Sequence, residues 1–179
     1  RCQYCDSEYA FYGGQWMSFD DIIAAISAFG TPYVCVTGGE PLAQKRCPEL
    51  LKMLCDQGYQ VSLETSGAMD VSGVDERVSR VLDIKTPGSG EVERNLWSNL
   101  DELTPHDQVK FVICSGDDYD WAAAQVAEHG LAKRCDVLFS PSWGQMDATE
   151  LADRVLADRL PVRVQLQMHK LLWGDVAGK

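Results

Sequence analysis

The sequence predicts an α/β protein: a partial barrel of βα units around a mostly parallel, curved sheet. Three observations lead there. Six short β-branched runs alternate mostly with amphipathic helical stretches, the pattern of βα units feeding a parallel sheet. Right-handed crossovers curl such a sheet and do not leave it flat. Polar residues also gather where the strands stop: Thr37, Glu64, Asp83 with Lys85, Ser140, and Gln167 with His169. In parallel βα architectures that rim is where sites are built.

Each element has a local reason. Ser18 can cap a helix whose first turn carries Asp20 and Asp21, favourable at its positive end. Ile22, Ile23, Ile26 and Phe29 form its apolar face, and Gly30 ends it. The strand Tyr33–Val36 follows, then a helix through Leu50, Leu51 and Leu54 that Gly58 stops. The strand Gln60–Glu64 leads to Thr65-Ser66-Gly67, and Arg80–Ile84 leads to Lys85-Thr86-Pro87-Gly88. Gln108–Ile113 reads as a strand before a helix near Asp118–His129. Asp136–Phe139 is a strand running to Ser140-Pro141, a helix is expected near Ala148–Asp158, and Val162–Met168 is a last strand.

Composition narrows the classes of function. At 179 residues, 45% apolar and 24% charged, the chain reads as one ordinary globular domain with a substantial core. No apolar run approaches the length of a membrane span, and no signal segment is visible. Sixteen basic against twenty-seven acidic residues give a formal charge of −11, so a nucleic acid would meet net repulsion. A small-molecule substrate is favoured, with neither nucleic acid nor membrane as partner. Seven irregularly spaced cysteines argue against a secreted disulfide framework and for a reducing, cytoplasmic setting. Cys35, Cys55 and Cys114 are expected as buried packing. Cys47 and Cys135, without partners at ligand spacing, are expected to be structural.

The chemistry is carried by motifs. Arg1-Cys2-Gln3-Tyr4-Cys5-Asp6-Ser7 holds a CxxC with an aromatic residue before its second cysteine, and Thr37-Gly38-Gly39-Glu40-Pro41 follows a strand. A CxxC alone also serves zinc and dithiol sites; joined to a strand that runs into T-G-G-E-P it is specific. The pair resembles the radical S-adenosylmethionine (SAM) enzymes, in which three cysteines of a Cx3CxΦC pattern hold a [4Fe–4S] cluster and SAM fills the open iron position. Cys2, Tyr4 and Cys5 match the last two cysteines and Φ. The first cysteine would lie before Arg1, so residues 1–179 are expected to form a radical SAM core domain lacking its N-terminal segment. The stretches RCQYCDSEYAF, CVTGGEPLAQ, SLETSG, DIKTPGSG, DQVKFVI and QLQMHKLLW further resemble the 7-carboxy-7-deazaguanine synthase family, over essentially the whole chain.

That resemblance implies a lyase of queuosine or deazapurine biosynthesis. It contracts 6-carboxy-5,6,7,8-tetrahydropterin to 7-carboxy-7-deazaguanine and releases ammonia, using SAM and Mg²⁺, as a homodimer fed by an electron donor such as flavodoxin. It implies Cys2 and Cys5 as cluster ligands and Ser7, where the family often has threonine, as the Mg²⁺ ligand. Serine keeps the oxygen the metal wants and loses only a methyl group. Tyr4, Cys5, Asp6, Gly39, Asp83, Ile84, Lys85, Ser140, Pro141 and Ser142 would line the SAM pocket. Thr37, Glu64 and His169 would face the pterin, with Glu64 and His169 in catalytic positions. His106 and His129 receive no role.

The residues support parts of this independently. Gly38-Gly39 lets backbone approach a ligand closely. Glu64 ends an apolar strand, where an ionised carboxylate is costly unless paired; an N–H-rich ligand edge, a cationic one, or an arginine elsewhere in the chain would offset it. Two rival readings stand beside this one. A glycyl-radical activase is also a short radical SAM protein but needs no pterin pocket. A zinc or dithiol interaction module would want a second CxxC-like pair, and the sequence has none.

Overall fold

The computed structural model describes residues 1–5, 7–174 and 176. These build six strands, β1 (Tyr33–Val36), β2 (Gln60–Thr65), β3 (Ser79–Ile84), β4 (Gln108–Ile113), β5 (Asp136–Pro141) and β6 (Arg163–Val164). Five α-helices accompany them: α1 (Phe19–Ser27), α2 (Cys47–Asp56), α3 (Gly116–Glu128), α4 (Ala148–Asp158) and α5 (Met168–Trp173). The strands form one sheet in the order β1-β2-β3-β4-β5-β6, and every neighbouring pair is parallel. Sequential order with parallel pairing is the winding of a βα barrel; β1 and β6 stand at opposite edges, so the barrel is open.

The period of two along each strand divides the sheet into two faces. Val61 and Leu63, Leu82 and Ile84, Val109, Phe111 and Ile113, and Val137 and Phe139 point toward the helices and are buried in the core. Leu51 and Leu54 of α2, Tyr119, Ala122 and Val126 of α3, and Leu151 and Val155 of α4 meet them. Phe139 takes Phe111 and Tyr119 edge-on, with ring centroids 5.6 and 5.7 Å away. Each such fully buried side chain contributes roughly 1.5–3 kcal/mol. The alternate positions carry Cys35, Ser62, Glu64, Asp83, Lys110 and Ser140, so Glu64, Asp83 and Lys110 share this second face.

Helix starts follow the sequence chemistry. Ser18 accepts the Asp21 N–H at 3.1 Å, with Asp20 and Asp21 in the first turn, as its residues predict. Ser115 caps α3 and Asp147 caps α4 in the same way; such a cap is worth about 1 kcal/mol.

Several expectations need correction. The last strand is not Val162–Met168: only Arg163–Val164 pairs with β5, and Met168 already opens α5. β6 is an edge strand with one neighbour, and its pairing ends once Gln165 donates to the Phe139 carbonyl at 3.0 Å. Phe29 does not belong to the buried face of α1. The helix ends at Ser27, Phe29 is 82% exposed, and only Ile23 and Ile26 among its larger residues pack against the core. Cys35 is exposed because β1 is the other edge, and Cys114 is only half-buried, whereas Cys47, Cys55 and Cys135 are buried. The crossovers from β2 to β3 and from β3 to β4 contain no α-helix; the second is made of 3₁₀ turns at Pro87–Ser89, Val92–Arg94 and Trp97–Glu102.

Candidate functional site

The CxxC forms a tight turn, in which the Cys5 N–H donates to the Cys2 carbonyl at 3.2 Å. Both thiols are free and half-buried. Burial raises the Cys2 thiol above its usual pKa, an effect that the nearby Lys85 ammonium partly offsets. Lys85 itself is pulled down by burial, but Asp83 and Cys2 outweigh that and raise it. Its Nζ donates to Asp83 Oδ2 at 2.8 Å. Cys2, Lys85 and Asp83 thus form one row at the end of β3, where the sequence placed a site.

Two buried polar atoms beside that row have no hydrogen-bond partner among the described residues: the Tyr4 hydroxyl and Asp83 Oδ1. Tyr4 is held strongly to its neutral form by burial and by the Asp83 charge. Buried polar atoms are normally paired, so Asp83 Oδ1, open beside Cys2 and Lys85, is an acceptor that can receive a polar ligand. Ile84 is fully buried on the helix side of β3, so it reaches such a ligand through main chain alone.

The Thr37-Gly38-Gly39-Glu40-Pro41 loop is fixed by Glu40. Its carboxylate accepts the N–H groups of Leu42 (3.0 Å) and Ser66 (2.8 Å), the Thr65 hydroxyl (2.9 Å) and the Ser66 hydroxyl. This ties the loop after β1 to the end of β2, immediately beyond Glu64. Gly38 sits at φ +145, which side chains rarely adopt. A Cβ on Gly39 would stand 3.5 Å from the Phe11 ring, an ordinary contact. Thr37 is exposed at the mouth of this loop.

Glu64 has its partner within the chain, and that partner is a lysine, neither the arginine nor the ligand edge allowed for above. Lys110 of β4 donates to Glu64 Oε2 at 3.0 Å across the intervening strand. Lys110 is register-paired with Asp83 in β3. Burial pulls Lys110 down, yet Asp83 and Glu64 raise it above its ordinary value, so it stays charged. Glu64, Lys110, Asp83 and Lys85 therefore make a chain of alternating charge over the inner face, with the Cys2 thiol at its end. Sequence reasoning missed Lys110 and Glu40. The signal available for Lys110 was a cation at an even position of an otherwise apolar strand, Gln108-Val109-Lys110-Phe111-Val112-Ile113.

At the end of β5, Ser140, Pro141 and Ser142 are buried. The Ser142 N–H donates to the Ile113 carbonyl at 2.8 Å and its hydroxyl to Gln145 Oε1 at 2.7 Å. Pro141 and Ser142 border a groove of about 550 Å³ lined also by Trp143, Met146, Leu166 and Leu171. His169 lies half-buried in the first turn of α5, not just past a strand. Ser7 precedes the 3₁₀ turn Glu8–Phe11, and its carbonyl accepts the Ala10 N–H at 2.9 Å. Asp6 lies outside the described residues. Among those described, no group of three His, Cys, Asp or Glu residues is arranged to hold a metal ion, and no helix is long and apolar enough to cross a membrane.

Comparison with known proteins agrees with this geometry. Residues 1–87 match the model of the radical SAM superfamily. The chain is 44% identical to the 7-carboxy-7-deazaguanine synthase of Chlorobaculum tepidum, over 98% of this chain and 81% of that protein. It is 42% identical to the synthase of the same name from Koribacter versatilis, over 97% and 83%. With that of Thermoplasma acidophilum the figures are 33%, 99% and 85%. Among solved structures, Streptococcus suis SuiB bound to S-adenosylmethionine superposes with a TM-score of 0.63 at 12% identity, over 93% of this chain and 47% of SuiB. That likeness concerns the fold alone, and the chain spans just under half of SuiB.

Proposed function

The chain belongs to the 7-carboxy-7-deazaguanine synthase family of radical SAM proteins, and from that premise we propose that it converts 6-carboxy-5,6,7,8-tetrahydropterin to 7-carboxy-7-deazaguanine with loss of ammonia. The observation that carries this reading is the charged inner face. It offers a cluster loop, a prepared polar nook and a carboxylate–ammonium pair in one continuous row. Cys2 and Cys5 suit an iron–sulfur cluster, being free, half-buried thiols of one tight turn, with Lys85 offsetting part of the burial that raises the Cys2 thiol. Bound there, the cluster and SAM supply a 5′-deoxyadenosyl radical for hydrogen abstraction; that chemistry belongs to the cofactor.

The residues of the chain bind and orient. Asp83 Oδ1 and the Tyr4 hydroxyl are an acceptor and a donor left open for polar groups of SAM. The groove beside Ser140, Pro141 and Ser142, with Trp143 at its edge, suits the flat adenine ring. Glu64, with one oxygen held by Lys110, has its other oxygen available for the N–H edge of the pterin. Thr37 at the mouth of the Gly38-Gly39 loop and His169 on α5 complete the substrate side. Ser7 would give Mg²⁺ one hard oxygen ligand, the ligand's own oxygens and water completing the shell. The active form is a homodimer working in the cytoplasm with a one-electron donor protein such as flavodoxin.

An anaerobic assay of the reconstituted holoenzyme tests the reading. With the tetrahydropterin, SAM and reductant it should release ammonia and 7-carboxy-7-deazaguanine in equal amounts, identified by mass. SAM cleavage without deazaguanine would defeat the substrate assignment and leave family membership intact.

A further inference from the structure

We propose that Asp118 is a positioning residue for the CxxC loop: its carboxylate fixes the Pro87–Ser89 turn, and the Ser89 carbonyl of that turn receives the Gln3 amide between the two cysteines. The inference rests on the cluster-and-SAM part of the reading above and not on the pterin.

Asp118 lies in the first turn of α3 and is 1% exposed. An acid there ordinarily serves its own helix, but Ser115 already caps α3 by accepting the Asp118 N–H at 3.3 Å. The carboxylate is thereby free to turn outward. Oδ1 accepts the Gly88 N–H at 2.8 Å and Oδ2 accepts the Cys114 N–H at 3.1 Å. A buried carboxylate on two main-chain donors is a strong, directional anchor. It joins the turn after β3 to the exit of β4.

The fit is steric as well. A Cβ on Gly88 would run into the Asp118 carboxylate, so a larger residue there must displace it. The turn beyond is internally rigid. The Ser89 and Gly90 amides donate to the Thr86 and Pro87 carbonyls, both at 3.0 Å, and the Ser89 hydroxyl donates to the Thr86 carbonyl at 2.6 Å. It therefore moves as one piece, and Asp118 sets where it stands. The Ser89 carbonyl accepts the Gln3 N–H at 3.0 Å, and the Gln3 amide group lies 3.3 Å from where a Cβ on Gly90 would be. Cys2 and Cys5 flank Gln3 in their own tight turn, so an error in the Pro87–Ser89 turn is passed to both thiols. Cys2 would shift against Lys85 and Asp83, the groups offered to SAM.

The test compares three variants of the holoenzyme. Asp118→Asn keeps size but points an N–H₂ at one of the two donors, and Gly88→Ala drives a methyl group into the same carboxylate. Asp107→Asn disrupts a buried anchor at the opposite end of β4 and serves as the general-destabilisation control. Amide hydrogen exchange reads the latch directly. Asp118→Asn and Gly88→Ala should each speed exchange at Gln3 by about tenfold or more, as a local opening, while Asp107→Asn should not. In pterin-free cleavage of SAM to 5′-deoxyadenosine, the first two should raise the KM for SAM about tenfold with kcat within a few fold, since misplaced binding groups cost affinity before chemistry. Unchanged exchange at Gln3 in both variants would overturn the proposal, as would an equal rise in KM for SAM from Asp107→Asn. A wild type that cleaves no SAM would count against the cofactor reading, and the exchange arm would still decide the latch.

Discussion

Two carboxylates three residues apart in register terms share the β3–β4 ribbon and face opposite fates. At its lower end, Arg80 pairs with Asp107 at 2.7 Å with almost no exposure on either side chain. Asp107 also accepts the Arg80 N–H, the Thr104 N–H at 2.8 Å and the Thr104 hydroxyl at 2.9 Å, and Arg80 reaches the Glu102 carbonyl. Every lone pair that burial stripped of water has a donor. At the upper end, Asp83 has Lys85 on one oxygen and, among the described residues, no hydrogen-bond partner on the other, and Lys110, paired with Glu64, is held also by the Asp83 charge. Since a buried charge is tolerated only when its hydrogen bonds are complete, the first pair is finished as structure. The second leaves Asp83 Oδ1 open, the acceptor that the proposed function gives to SAM. One ribbon thus separates stability from function along its length, as parallel βα folds do generally.

The sharpest way to break the comparison is to disrupt the finished pair. Asp107→Ala leaves Arg80 buried without its counter-charge, which should cost about 3–5 kcal/mol of stability in urea unfolding, with kcat/KM of the folded fraction unchanged. The acid limb supplies a second check. Burial alone raises the Asp107 carboxyl, but Arg80 and the Thr104 donors outweigh it and hold its pKa below the usual value. Its contribution is therefore present above the unfolded pKa near ~3.9 and lost as pH falls through the depressed folded value. Removing Asp107 should flatten that loss; an unaltered acid limb would mean that other carboxylates govern it.

Next in size is the unfinished end. Glu64→Gln should lower kcat/KM for the pterin by about 2–4 kcal/mol, roughly thirty- to a thousand-fold, while pterin-free SAM cleavage persists. Abolished SAM cleavage with normal pterin binding would move Glu64 to the cofactor side. Lys110→Met should cost somewhat less, about ten- to a hundred-fold, because it removes a holder and not a contact, and Lys110→Arg should restore most of it. The two changes act on one pair, so the double variant should lose less than the sum. Additive losses would show that Lys110 serves Asp83 alone.

Much of this was legible in the sequence, and the boundary has a physical cause. The Ser18 cap and the strands' mostly parallel βα pattern depend on neighbours within a few residues, and each stands as its residues predict. The charged pairs do not. Lys110 and Glu64 are 46 residues apart, and Glu40 reaches Thr65 and Ser66 across 25 and 26; such partners are chosen by strand order, which no local pattern states. Edge effects were hidden for the same reason. Val162–Met168 alternates like a strand, but with one neighbour only Arg163 and Val164 are held in the ladder. Cys35 has the sequence surroundings of a buried residue and lies on an exposed edge. The strand ends singled out one rim, while the completeness of each ion pair had to be seen in three dimensions.

The smallest expected effect concerns the metal and sharpens what an unfinished end can recruit. Ser7 follows the CxxC turn and is the residue to which the proposed function gives Mg²⁺; among the described residues no group of three His, Cys, Asp or Glu is arranged to hold a metal ion. A hard cation held by one protein oxygen depends on its ligand and water for the rest of its shell. Losing that oxygen should weaken the metal without abolishing it. Ser7→Ala is therefore expected to raise the Mg²⁺ concentration for half-maximal turnover about tenfold, near 1.4 kcal/mol, with the cluster absorption unchanged and near-full rate at saturating Mg²⁺. Ser7→Thr, which keeps the oxygen, should match the wild type. Equal Mg²⁺ dependence in Ser7→Ala and wild type would place the cation on the ligand alone, leaving Ser7 to end the cluster turn and nothing more.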